Sequence, residues 1–138
     1  MPNWLQGEEM KNKCFVVLLA ALFVLGFSSD ASAQTKKAQS YSSLIALKTA
    51  FVKSGGQCWE WSRNKQMFDD FINADCDQKT VLIFYLKKTN TMAEALRMAK
   101  TYRSLEFKIN LLVGPNWIIN SDQVNLVSKK LGGTLITR

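Results

Sequence analysis

Cys58 and Cys76 are the residues of this chain best suited to covalent chemistry, and their setting argues against a catalytic use. The chain holds three cysteines, the third being Cys14, and no histidine. A reactive thiolate needs a lowered pKa, from a neighbouring cation or a C-x-x-C arrangement. Seventeen residues lie between Cys58 and Cys76, and no imidazole is present to activate either. The pair reads as a structural disulfide, worth about 3 kcal/mol for a loop of this size. The absence of histidine also removes the usual general base and the commonest metal ligand.

Carboxylates are the remaining source of acid–base or metal chemistry. Asp69 and Asp70 are adjacent, so on a helix or strand their side chains diverge and make no ready acid–base pair. Asp75 and Asp77 flank Cys76 and can share one side of an extended segment, where a weak calcium site is conceivable. A polar loop around the disulfide is the simpler reading, and no metal or cofactor is expected. The chain has no G-x-S-x-G, no phosphate-binding loop and no metal-spaced cysteine set. These observations set the enzyme classes aside and leave recognition as the chemistry on offer.

Recognition would fall to the tryptophans. Trp59 and Trp61 sit beside Cys58, with Glu60 and Arg63 close in sequence, and Trp117 follows a Gly114-Pro115-Asn116 turn. Large aromatics in a small domain serve either as core or as anchors of a binding surface. The candidate binding residues are therefore Trp59, Trp61, Arg63 and Trp117.

The first thirty-three residues address the chain rather than fold it. Cys14 to Phe27 is an unbroken apolar run, shorter than the roughly 20 residues a helix needs to span a bilayer. Lys11 and Lys13 precede it and Ala31-Ser32-Ala33 follows it, as in a cleaved secretory signal over 10–33 with a mature start at Gln34. Cys14 lies at the wrong end of the run for lipid attachment. Residues 1–9 precede Met10 with two glutamates and no basic residue. The stretch Gln6–Met10 can be encoded as CAAGGAGAAGAAATG, which contains a ribosome-binding AAGGAG, so 1–9 read as untranslated leader. Removal of Cys14 with the signal leaves an even cysteine count, as an oxidising compartment favours.

Without residues 1–33, which hold Lys11, Lys13, Glu8, Glu9 and Asp30, the 18 basic and 11 acidic residues fall to 16 and 8, a net charge of +8. The lysines are scattered, with no run beyond two, as for a solvated surface. The alternative is attraction to anionic lipid headgroups or phosphate-bearing wall polymers. Nucleic acid is a poor partner for an exported chain with no binding motif.

The elements that must position these residues follow from periodicity. Residues 34–42 are polar and read as a flexible tether, leaving one globular domain over 43–138. Leu44, Leu47, Phe51 and Val52 predict a helix over 43–54, stopped by Gly55-Gly56. QCWEW, 57–61, predicts a short strand with Trp59 and Trp61 on one face. Residues 62–78 are ambiguous, since Met67, Phe68, Phe71 and Ile72 fit a helical stripe among turn formers. TVLIFYLKK predicts a central strand buried on both faces. Residues 90–107 predict a helix capped by Thr91 with Glu94, its buried stripe Met92, Ala95, Leu96, Ala99 and Tyr102. A hairpin over 108–113 and 117–120 comes next, with a single bulged strand as the alternative, then a helix from a Ser121 or Asp122 cap to Gly132-Gly133, and a final strand. The expected fold class is α+β: a small, mostly antiparallel sheet with about three helices packed on one face and one disulfide.

Cys58-x-x-Trp61, Cys76, LLVGPNW at 111–117 and LGG at 131–133 resemble a group of small exported proteins and lipoproteins of Gram-positive, mainly actinobacterial, bacteria and their phages. The resemblance spans roughly 43–138. It implies an envelope or phage setting and carries no established activity or catalytic residue. The expected function is a secreted, non-enzymatic interaction protein of the cell envelope. A phage-encoded surface protein such as a superinfection-exclusion factor, and an exported inhibitor of an extracellular hydrolase, are the alternatives. The expected partner is a protein or an anionic envelope component, with the chain a monomer that meets the membrane only through its transient signal.

Overall fold

Residues 36–64 and 69–137 are described by the computed structural model, within a compact unit running from Gln34 to Arg138. The expectations for residues 1–33, and for Met67 and Phe68, lie outside the described residues. Helix α1 (Leu44–Lys53) leads to β1 (Trp61–Arg63), β2 (Phe71–Cys76) and β3 (Thr80–Tyr85). Helix α2 (Thr91–Ser104), the hairpin β4 (Asn110–Val113) and β5 (Trp117–Asn120), helix α3 (Val124–Leu131) and β6 (Thr134–Thr137) complete it. The fold is α+β: among the described residues there are three helices and one six-stranded sheet in the order β1-β2-β3-β5-β4-β6, every pair antiparallel.

The expected single helical layer is instead two. Alternate residues of the central strands face opposite ways. Leu82, Phe84, Leu112, Trp117 and Ile119 pack with α1 and α3 through Leu44, Leu47, Phe51, Val124, Val127 and Leu131. Ile83, Tyr85, Leu111, Val113 and Ile118 pack with Ala95 and Ala99 of α2 on the other face. Strand direction explains the split. β3 and β4 both oppose β5, so they run parallel to each other, and β5 and β6 likewise both oppose β4. Each parallel pair is joined by one helix crossing one strand, and both crossings move toward the β6 edge. Since β3 and β5 point opposite ways, crossings of one hand must place α2 and α3 on opposite faces.

Local chemistry shifts the starts of two helices and the buried stripe of one. Asn90, not Thr91, caps α2: its side chain accepts from the Ala93 N–H at 3.1 Å. The Thr91 hydroxyl donates instead to the Gly114 carbonyl at 2.6 Å, tying the helix to the hairpin turn. Leu96 is exposed, and Met98 packs in its place. At α3 the cap position is Gln123, with no side-chain cap bond, rather than Ser121 or Asp122. Ser121 instead accepts from the Gln123 N–H and pairs its hydroxyl with that of Thr80 at 2.6 Å, both groups buried.

The largest departure is at residues 36–42. This segment, expected as a tether, is docked. Ala38 and Tyr41 pack on the core, and the Trp117 indole N–H donates to the Gln39 carbonyl at 2.9 Å. Asn116 makes two bonds to Tyr41, accepting from its N–H and donating to its carbonyl. Gly132, at φ 73°, admits the strap: a Cβ there would stand 2.0 Å from the Lys36 carbonyl oxygen.

Tyr85 carries an alkaline liability. Burial raises its phenol pKa above 10.0, and the negative charge of Glu94 adds to this while Arg97 opposes it. A folded-state pKa above the unfolded one means stability present below pH 10 is lost as pH rises through the folded value. Wild type should therefore lose stability more steeply above pH 10 than Tyr85→Phe, in urea midpoints compared between pH 9 and 11. Parallel curves would remove Tyr85 from the alkaline transition.

Candidate functional site

The corner where β1 meets the β2–β3 turn is built around Asp77. Asp77 and Gln78 both adopt left-handed backbone, φ 53° and 60°, which Asp tolerates better than most residues. This conformation turns the Asp77 carboxylate back onto the preceding loop. Its oxygens accept from the backbone N–H groups of Trp59, at 2.9 Å, and of Glu60. The Asp77 N–H donates to the Glu60 carbonyl at 3.1 Å. One residue away, Cys58 and Cys76 form the disulfide, S–S 2.08 Å. Residues 58–60 are thus held by one covalent bond and three hydrogen bonds.

That clamp explains why the strand starts late. Trp59 and Glu60 spend their N–H groups on Asp77 and cannot join the ladder, so β1 covers Trp61–Arg63 rather than 57–61. Trp59 leaves the strand and stands 84% exposed. Trp61 pairs with Cys76 in the register and is half-buried against the α1 face of the sheet. The Lys48 ammonium, from α1, lies 4.7 Å from the Trp61 ring centroid, within cation–π range. Arg63 is exposed two residues on, hence on the same sheet face as Trp61. The ion pairs among the described residues, Lys87–Asp70 and Arg97–Glu94, leave Lys48 and Arg63 out.

Trp117 does not belong with them. It is fully buried under the docked strap, with Tyr41 at a ring-centroid distance of 6.1 Å and its indole edge filling the space beside Gly114. The candidate set divides into an exposed Trp59 and Arg63, a half-buried Trp61 and a core Trp117. Two residues outside the candidate binding set complete the corner. Lys48 looked like one solvated lysine among many. Asp77 stands out in the sequence only as a candidate calcium ligand; its carboxylate is engaged by the backbone, and Asp75 is exposed on the strand. Among the described residues no group of three or more His, Cys, Asp or Glu comes together as a metal site.

Two depressions lie elsewhere. One, of about 480 Å³, is open and lined by Lys36, Lys37, Thr91, Met92, Pro115 and neighbours. The other, of about 240 Å³, lies by Arg103 and Phe107. No helix among the described residues is long and apolar enough to cross a membrane. No family profile, curated protein or solved structure matches the chain.

Proposed function

We propose that the chain is an exported, non-enzymatic binding domain that engages an anionic component of the bacterial cell envelope through the Trp59 loop. One observation carries this reading: an indole that is 84% exposed rides on a loop fixed by the disulfide and by Asp77. Leaving so large an apolar side chain in water forgoes its burial, about 2 kcal/mol or more. A loop already fixed in shape loses little conformational freedom on binding, so contact area converts more fully into affinity. The disulfide fits an oxidising compartment, and the signal-like residues 10–33 supply the route there. Chemistry plays no part in this reading, because the exposed groups at the corner hold no base–nucleophile pair and the chain has no histidine.

Pull-down of purified envelope fractions tests it. Wild type should retain bound material that Trp59→Ala loses by about tenfold, with Tm unchanged, as for a hot-spot aromatic. Equal capture by the two proteins, or none by wild type, would remove the Trp59 loop as the binding element.

A further inference from the structure

Resting on the reading that the Trp59 loop is the binding element, we infer that its partner is the headgroup layer of an anionic phospholipid bilayer. The shape of the corner carries this. Trp59 projects, and neither of the two depressions described above is lined by a residue of this corner. A polymer or peptide ligand is ordinarily held in a groove with walls and convergent polar groups. A lone projecting indole suits a soft interface, where its apolar body enters the acyl boundary and its N–H stays among hydrated headgroups.

The flanking side chains match that environment. Trp61 follows Trp59 by two residues; Lys48 reaches its ring from α1, and Arg63 stands on the same face of β1. Both have long apolar stems that let the charged head reach a phosphate while the stem lies along apolar surface. Their charges are free of ion pairs among the described residues. The corner also holds two acids. The Asp77 charge is taken up by two backbone N–H groups, whereas Glu60 is exposed and would face the lipid phosphates unfavourably. Beyond the corner, the +8 charge of residues 34–138 draws the whole domain to an anionic surface. A single basic side chain near such a surface is worth roughly a fivefold gain in binding.

Co-sedimentation of the chain from Gln34 onward tests the inference, with vesicles of phosphatidylcholine alone and with about one third phosphatidylglycerol. The wild-type protein should bind the mixed vesicles, lose binding as salt rises, and show a blue-shifted tryptophan emission. Trp59→Ala should bind about tenfold more weakly and lose the shift. Lys48→Gln with Arg63→Gln should weaken binding by more than tenfold, and Glu60→Gln should strengthen it severalfold. Envelope polymer freed of lipid forms a second arm. Capture by that polymer with no vesicle binding would overturn the inference while leaving the envelope reading intact. Failure in both arms would overturn both, and vesicle binding unchanged in Trp59→Ala would assign the membrane contact elsewhere.

Discussion

Trp117→Ala is expected to lower the unfolding free energy by about 4 kcal/mol, whereas Trp59→Ala should change it by less than about 0.5 kcal/mol. The two residues have the same chemistry and opposite settings: Trp117 is fully buried and Trp59 is 84% exposed. Trp117 fills the space beside Gly114, meets Tyr41, and donates its indole N–H to Gln39. Alanine would leave a cavity between sheet and strap and deprive the Gln39 carbonyl of its partner. Losing about 4 kcal/mol from a typical total of 5–15 would leave a marginal fold. Equilibrium urea unfolding by circular dichroism measures both variants. Deletion of residues 34–41 should cost a similar amount, and because the strap and Trp117 share contacts, the combined variant should lose less than the two separate costs together. Additive losses would mean that the indole supports the sheet independently of the strap.

Replacing both cysteines with alanine is expected to cost about 3 kcal/mol through the loop released in the unfolded chain, with a further loss from the space left at buried Cys76. Thiol reduction of wild type should lower its stability by a comparable amount. Asp77→Ala should cost less, since it removes two hydrogen bonds at the surface of the same corner rather than a covalent link. Urea midpoints in the presence and absence of reductant separate these effects. An alanine pair as stable as oxidised wild type would show that Asp77 alone holds the corner.

The legible parts of the fold were those whose side chains announce their surroundings. Val81–Tyr85 is apolar at every position and lies in the sheet with helices on both sides, so the two-layer arrangement was present in that run. Placing all helices on one face overlooked what uninterrupted apolarity in β3 required. β2 was harder to see, because its inward residues Ala74 and Cys76 are small and its Asn73 and Asp75 are polar. The strap could not be read from hydropathy at all. It binds largely through main-chain atoms, the Gln39 carbonyl and the Tyr41 N–H and carbonyl, and every sequence carries those groups. Tryptophan at 59, 61 and 117 likewise gave composition without placement. Placement came from what each neighbour offered: the Asp77 carboxylate at the first, the Lys48 ammonium at the second, and bare Gly114 at the third.

The strap also sets an order of events. Tyr41 is bound by Asn116, 75 residues further along, and Gln39 by Trp117, 78 further along. A chain made from its N-terminus therefore produces the strap long before its receptor exists, and α1, β1, β2, β3 and α2 all emerge in the interval. Closing a contact over so many residues is entropically costly and slow. The earliest part of the domain to be synthesised is thus among the last to be secured, and for that interval it is open to whatever meets nascent chain.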